Sequence, residues 1–446
     1  PIDLSFAEQG KSKAFYPCLR VVVRNWDERY IYAEKDEGTA DACEIKIDYQ
    51  EGGFQEDLLY LKDLLFPELL LNLLKVKVRD DGVYVPQTVI VLPDYLVDVS
   101  TLAECWKEYG HDARNYILSR LSGHEDTPYT LLGHLAGQFL DDLINGRGAK
   151  QDVTYADCLR KSFATMPVAY SYVQLYDKFN FHDEARKQFG NLKKLIDGRL
   201  ETDFGFDLSK ALIEPSFICE ALGVSGRMDF LQSDFARLIE QKSGKMDEFR
   251  HAHREPHFIQ MMLYQAMLQY NLGVTNSRCD TYLLYSKYPD GLFREEMYQA
   301  LLRDVLKMRN LIVIQELNCA NGQCRILLEN LTPESLRTGA NNKLWMNYQQ
   351  VELEHFLKPF QVVPKNADDV EAERRRLAQD YFFRFYTFLC REQLQSKITS
   401  PGNAGRAFSD LWNLPAAMRR ELGGLYLNLR VGELRERIAG QGVSEI

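Results

Sequence analysis

The chain contains two short segments typical of adjacent β-strands, GRMDFL at residues 226–231 and LIEQKSGK at residues 238–245. Each is a brief apolar run that carries acidic residues, and the polar residues between the two runs indicate a turn. Antiparallel neighbours lie about 4.8 Å apart, so the carboxylates of Asp229 and Glu240 can converge on one divalent cation. Strand side chains alternate between faces, so Lys242 is predicted on the same face as Glu240.

Two carboxylates beside an ammonium group suit the metal-assisted hydrolysis of a phosphodiester. Hard oxygen ligands hold Mg²⁺, and Lys242 can stabilise negative charge or orient water. A solvated hairpin with ordinary surface charges would show the same residues. The spacing of Asp229, Glu240 and Lys242 therefore leaves both interpretations open by itself.

A helix is predicted to follow the second strand, from HFIQMMLY at residues 257–264 onward. Pro256 suits the first turn of a helix, and Gly273 is typical of a helix C-terminus. Gln260 and Tyr264 are four residues apart and share a face of this helix.

Together these residues resemble the PD-(D/E)XK nuclease superfamily, and above all its RecB-like branch. That branch includes CRISPR-associated exonucleases and the nuclease domains of replication and repair helicase–nucleases. Its pattern is Gly-x-x-Asp, Glu-x-Lys and a helical Gln-x-x-x-Tyr with a preceding His, here Gly226, Asp229, Glu240, Lys242, His257, Gln260 and Tyr264. The resemblance covers roughly residues 90–310. It implies an α/β fold with a restriction-endonuclease-like core, in which helices flank a mixed central sheet.

The resemblance also implies Mg²⁺ or Mn²⁺ as cofactor and a role for each matching residue. Lys242 would assist the attack by water, Gln260 would orient Lys242 or a phosphate, and Tyr264 would line the DNA path. His134, within LLGHLAGQFL at residues 131–140, would be a helical metal ligand, and a buried core histidine is the alternative. The implied metal ligands are His134, Asp229, Glu240 and Gln241 through its carbonyl; the implied catalytic residues are Asp229, Glu240, Lys242, Gln260 and Tyr264.

The segment after Lys242 is locally basic although the chain has a net charge of −10. Net charge describes the far field, whereas nucleic-acid binding depends on the local patch. The segment is therefore either a phosphate-contacting track or a solvated loop. The candidate nucleic-acid-binding residues are Lys245, Arg250, Arg254 and His257.

The segment LPDYLVDVSTLAEC at residues 92–105 resembles the entry to the nuclease domain of the helicase–nucleases, where such a Cys can hold an iron–sulfur cluster. The three further cysteines that a cluster needs would be Cys319, Cys324 and Cys390. Their spacing does not match the expected Cys-x-x-Cys. Cys105 is therefore predicted to be a buried apolar residue, and no iron–sulfur cluster is expected.

Length and composition predict a globular protein of two or three domains. The 446 residues include 45% apolar and 26% charged residues, which is ordinary globular usage. We expect a β-rich N-terminal domain at residues 1–100, the nuclease domain at 101–310 and a mostly helical region at 311–446. No apolar run is long enough to span a membrane, and nine scattered cysteines without a signal peptide favour the cytoplasm.

The expected function is a metal-dependent deoxyribonuclease that acts on single-stranded DNA ends or flaps in replication, repair or recombination. No Gly-x-x-x-x-Gly-Lys-Ser/Thr motif occurs, so any helicase would be a separate module or subunit. Two alternatives are an inactive DNA-end-binding module of a repair complex and a site-specific restriction enzyme. Loss of the Glu or Lys is typical of inactive relatives, and both are present here, which favours an active nuclease.

Overall fold

The computed structural model has a mixed α/β fold, with a β-rich N-terminal region and a helical C-terminal region. This confirms the fold class predicted from the sequence. The domain limits at residues 100 and 310 stay a prediction. The structure describes residues 15–429 except 38–39, 51–57, 108–109, 123–125, 174–179, 248–250, 276, 337–346, 364–369, 400–404, 406 and 426.

The N-terminal region is a six-stranded sheet in the order β1-β2-β3-β5-β4-β6. Its strands are β1 (Phe15–Trp26), β2 (Tyr30–Lys35), β3 (Cys43–Asp48), β4 (Leu70–Val78), β5 (Tyr84–Val85) and β6 (Thr88–Val91). The long strand β1 pairs with β2 through its second half and with β4 through its first half. This double pairing closes the sheet into a small barrel around apolar side chains such as Val21, Ile31 and Leu71.

The short strands and the helices of the central region come next in the chain. These elements are β7 (Val97–Asp98), α1 (Val99–Ala103), β8 (Trp106–Lys107), β9 (Gly110–His111), α2 (Arg114–Leu121), α3 (Pro128–Gly148), α4 (Tyr155–Thr165), α5 (Pro167–Tyr172), α6 (Phe181–Lys194) and α7 (Leu200–Thr202). Helix α3 begins with a capping box, in which the side chains of Thr127 and Thr130 each accept from the backbone N–H of the other. Pro128, which has no N–H to satisfy, lies in the first turn.

The central sheet has five strands in the order β10-β13-β14-β15-β16. The elements of this part are β10 (Ala211–Ile213), β11 (Ser216–Cys219), β12 (Val224–Arg227), β13 (Phe230–Gln232), β14 (Arg237–Lys242), α8 (Glu255–Leu272), β15 (Asp280–Tyr285), β16 (Leu292–Glu295) and α9 (Gln299–Ala320). Strand β14 pairs antiparallel with β13 and parallel with β15. Leu238 packs among residues of α8, whereas Ile239 packs among residues of α3 and α6. The sheet therefore lies between two helical layers, and alternate side chains of β14 reach opposite layers.

The predicted strand at residues 226–231 is in fact two strands in two sheets. Strand β12 pairs with β11 and β7 in a separate three-stranded sheet, whereas β13 belongs to the central sheet. Glu214, with a φ of 49°, turns the neighbouring chain between β10 and β11, and its N–H donates to the Asp229 carbonyl at 3.1 Å. The segment that joins β10 to β11 and the segment that joins β12 to β13 therefore pass from one sheet to the other side by side. Asp229 lies at this junction between the two sheets.

Helix α8 follows the sequence signals closely. Pro256 lies in its first turn, and Gly273 ends it in the left-handed conformation with a φ of 66°. A left-handed residue at this position favours glycine because it has no Cβ. The helix lies against β14 and β15 with the face that carries Gln260 and Tyr264 directed to the sheet, and both side chains are buried.

The C-terminal region consists of α10 (Cys324–Glu329), α11 (Asn347–Leu357), α12 (Val370–Lys397), α13 (Asp410–Asn413) and α14 (Ala416–Glu421). The long helix α12 packs along α9. Within the described ranges, the structure has no helix with the length and apolar character needed to cross a bilayer.

Candidate active site

Asp229 and Glu240 meet where the two sheets join. Glu240 lies in the middle of β14 and is 2% exposed. Its Oε1 accepts a hydrogen bond from Lys242 Nζ at 2.8 Å, while its Oε2 is buried without a partner. Asp229 Oδ2 accepts from the backbone N–H of Gln241 at 2.6 Å. The two acidic side chains therefore face each other with one oxygen unsatisfied.

Burial and mutual repulsion disfavour the ionised form of this carboxylate pair. Burial, reinforced by the charge of Asp229, raises the pKa of Glu240 to about 8. Burial also raises the pKa of Asp229. A divalent cation would remove this cost, because it neutralises both charges and supplies a partner for the unsatisfied oxygen. The chemistry of the pair, two hard oxygen donors in a buried junction, fits Mg²⁺ or Mn²⁺.

Lys242 is fixed between the carboxylate pair and α8. Its Nζ donates to Glu240 Oε1 at 2.8 Å and to Gln260 Oε1 at 2.7 Å. Burial lowers the pKa of Lys242, but the charges of Glu240 and Asp229 outweigh burial, and the net shift is upward. The side chain is therefore a charged ammonium at neutral pH. An ammonium has three donors, so one N–H remains for a phosphate oxygen or water.

Gln260 is held by a chain of hydrogen bonds. Its Nε2 donates to Ser100 Oγ at 3.0 Å and to the Tyr264 hydroxyl at 3.1 Å. The Tyr264 hydroxyl in turn donates to the carbonyl of Arg227 at 2.7 Å. The amide is thus oriented with its oxygen toward Lys242, so the structure places Gln260 in direct contact with Lys242.

Gly226 allows the close approach of the Tyr264 ring. A Cβ at this position would lie 2.7 Å from a ring carbon of Tyr264 and 3.2 Å from Val99. A side chain here would displace Tyr264 and, through it, Gln260. The Gly in the Gly-x-x-Asp pattern therefore has a steric reason in this fold.

His257 lies three residues before Gln260 on α8, and its Nδ1 is 2.9 Å from the Tyr285 hydroxyl. Burial, reinforced by Lys242, lowers its pKa to about 3. The imidazole is therefore neutral at physiological pH, and it lies near the same end of β14 as Lys242.

The side chains of His134 and Gln241 lie on the side of α3. The Gln241 amide donates to the Ala136 carbonyl at 3.0 Å, so its side chain points away from the carboxylate pair. His134 is exposed on α3. A Cβ added at the neighbouring Gly133 would lie 3.5 Å from Ser243 Oγ. Across the described ranges, no three His, Cys, Asp or Glu side chains converge as a metal site. Metal ligation by His134 and by the Gln241 carbonyl therefore stays a prediction.

Sequence reasoning missed two polar residues near the pair. Ser100, on α1, completes the hydrogen bonds of Gln260. Asp141 lies on α3, and burial together with the charges of Glu214 and Asp229 raises its pKa to about 7. Asp141 is seven residues after His134 and therefore shares its helix face, a spacing that could have revealed it.

The structure describes part of the basic segment that follows Lys242. Lys245 and Arg254 are exposed, and Arg254 is the N-cap residue of α8. His253 Nδ1 is 2.7 Å from Glu295 Oε1. Arg250 lies outside the described residues. The phosphate-contacting track stays a prediction.

Three of the four candidate cluster cysteines come together despite their sequence spacing. The Cys319 thiol is within hydrogen-bonding contact of the Cys324 and Cys390 thiols, and all three are buried. Cys105 is also buried, and its Sγ contacts the Thr101 carbonyl at 3.8 Å. Burial raises the pKa of Cys105 to about 12, as expected for an apolar core position.

Comparisons with known proteins are sparse. No family model matches the chain, and no curated protein matches it. Among solved structures, the chain is similar to a candidate exonuclease from Eubacterium rectale, at 12% identity and a TM-score of 0.34, over 52% of this chain and 83% of that one.

Proposed function

We propose that the protein is a metal-dependent deoxyribonuclease that hydrolyses phosphodiester bonds of single-stranded ends or flaps. The observation that carries this proposal is the buried cluster of Asp229, Glu240 and Lys242, in which Glu240 retains one unsatisfied oxygen. An uncompensated buried carboxylate is costly, and a site that binds a cation accounts for that cost.

Asp229 and Glu240 would hold the metal, with His134 and the Gln241 carbonyl as further ligands implied by the resemblance. Bound Mg²⁺ or Mn²⁺ would polarise a phosphoryl oxygen and supply a nucleophilic water. The chain's own residues do the remaining work: they bind the phosphate, orient it and stabilise charge.

Lys242 is positioned to stabilise the charge that develops on the phosphate. It is charged and held by Glu240 and Gln260 at 2.8 and 2.7 Å, so it needs little reorganisation during the reaction. Because it stays protonated, Lys242 acts as an electrostatic group and as a donor, and not as a general base.

DNA would approach along the exposed basic residues Lys245 and Arg254. Their contacts would be with phosphates and would position the strand without reading its sequence. A single strand would expose its phosphates most easily to a buried junction. We infer a role in replication, repair or recombination. A helicase module or subunit would be the partner that supplies the single-stranded DNA.

The test is cleavage of end-labelled single- and double-stranded DNA with Mg²⁺ or Mn²⁺. We expect cleavage of single strands that EDTA abolishes and that Asp229→Ala loses. Glu44→Gln, at an exposed strand position of the N-terminal barrel, is the matched control and should cleave normally. Metal-independent cleavage, or normal cleavage by the Asp229 variant, contradicts the proposal, and binding without any cleavage supports the inactive end-binding alternative.

A further inference from the structure

Tyr285 lies beside Lys242 in the candidate active site, although no sequence pattern indicates it. It ends β15 and is the register partner of Lys242 in the parallel β14–β15 pair. Register partners point to the same face of a sheet, so Tyr285 and Lys242 both face α8. The Tyr285 side chain is fully buried, and its hydroxyl lies under the first turn of that helix.

The hydrogen bonds around this hydroxyl determine where its proton lies. The backbone N–H of Arg254 donates to the Tyr285 oxygen at 3.0 Å, so in this bond the oxygen is the acceptor. Its second polar neighbour is His257 Nδ1 at 2.9 Å. If Nδ1 carried a proton, the buried tyrosine O–H would have no acceptor among the described residues, at a cost of about 1–3 kcal/mol. The arrangement that satisfies both the Tyr285 hydroxyl and His257 Nδ1 has Tyr285 donating to Nδ1, which places the imidazole proton on Nε2.

We propose that Tyr285 is a positioning residue that fixes His257 as the Nε2–H tautomer, so that its imidazole donates a hydrogen bond to a phosphate oxygen of DNA beside Lys242. This inference rests on the proposed function. His257 Nε2 has no hydrogen-bond partner among the described residues and is not enclosed. It is therefore open to a ligand, on the helix face that carries Gln260.

A neutral donor is well suited to this position. The charges of Lys242, Arg254 and His253 all disfavour a second proton on the ring. A fixed N–H donor can therefore bind a phosphate oxygen without adding a buried charge. A rotated or tautomerised ring would present a lone pair to the phosphate, which is repulsive. The tautomer set by Tyr285 thus determines whether His257 assists or opposes binding.

The experiment combines histidine NMR with cleavage kinetics on the full chain. In protein labelled with ¹⁵N-histidine, two-bond ¹H–¹⁵N correlations distinguish the tautomers, and His257→Gln identifies the His257 signals. Tyr285→Phe removes only the hydroxyl. Tyr282→Phe is the matched control, because Tyr282 lies on the same strand but packs in the opposite layer with Phe206 and Phe230.

We expect the Nε2–H tautomer in the unmodified protein and in Tyr282→Phe, and its loss or mixing in Tyr285→Phe. Cleavage by Tyr285→Phe should fall about tenfold, as when a supporting hydrogen bond to a functional His is removed. His257→Gln, which keeps an N–H donor at a similar distance, should retain more activity than His257→Ala. Single-stranded DNA added with Ca²⁺ should shift the His257 Nε2 signal.

The outcomes separate this inference from the proposed function. A proton on Nδ1, or an unchanged tautomer in Tyr285→Phe, overturns the role of Tyr285. A changed tautomer with unchanged cleavage, or no DNA-induced shift at Nε2, overturns phosphate donation by His257. If the protein cleaves no DNA, the proposed function fails, and the tautomer and the DNA-induced shift still decide the inference.

Discussion

Replacing Glu240 by Gln should stabilise the metal-free protein while abolishing its activity. The pKa of Glu240 is raised from 4.5 to about 8, so the folded state holds this proton more tightly than the unfolded state. Its contribution to stability is complete below about pH 4.5 and is lost as the pH rises toward 8. At 1.36 kcal/mol per pKa unit, the loss near pH 8 is about 4 kcal/mol at most.

The amide variant avoids this loss because Gln has no charge to bury. Lys242 loses one ion pair in the variant but keeps Gln260 and the nearby charge of Asp229. We therefore expect a net gain of about 2 kcal/mol near pH 8, half of the upper limit. For a cooperatively unfolding region of roughly 150–250 residues, a gain of about 2 kcal/mol corresponds to a rise of about 4–8 °C in the unfolding temperature.

The assay is thermal unfolding in EDTA at several pH values between about 5 and 8, with Glu44→Gln as the control for an exposed carboxylate. The advantage of Glu240→Gln should grow with pH. Added Mg²⁺ should stabilise the unmodified protein more than the variant, because the variant lacks a charged ligand. A variant that unfolds at a lower temperature near pH 8, or whose difference is independent of pH, would refute the reasoning.

Three further predictions concern the neighbouring residues. Asp229→Ala should lower cleavage at least about 100-fold with a nearly unchanged unfolding temperature in EDTA; a large loss of stability would indicate a structural role. Lys242→Ala should retain Mn²⁺ binding by calorimetry yet lose about 10²- to 10³-fold in turnover, and a parallel fall in affinity would make Lys242 part of the metal site. Replacing Lys245, Arg250 and Arg254 together by Ala should flatten the salt dependence of single-strand binding by about two units of log–log slope, whereas an unchanged slope would place the DNA path elsewhere.

Local periodicity predicted correctly which candidate side chains share a face. Because strand side chains alternate, Glu240 and Lys242 had to share a face, and their side chains are in contact. Because helix residues four apart share a face, Gln260 and Tyr264 had to point the same way, and they are hydrogen-bonded. Proline and glycine marked both ends of α8 through their backbone preferences. These features follow from spacing alone, since each depends on residues close together in the chain.

The junction at Asp229 could not be predicted in this way. The sequence favoured a continuous strand over residues 226–231, but the chain changes sheet beside Glu214. Strand breaks of this kind depend on which distant strands compete for the same backbone groups. The apolar residues on either side of Asp229 are compatible with one sheet or with two.

The sequence by itself determined which side chains share a face, how α8 begins and ends, and that Glu240 and Lys242 lie near one another. Only the tertiary structure decided that Ser100 holds Gln260, that Tyr285 lies opposite Lys242, and that Cys319, Cys324 and Cys390 form one buried cluster. The physical reason is that backbone geometry fixes direction over a few residues. Contacts between distant segments depend on strand register and helix packing, which the whole core determines together.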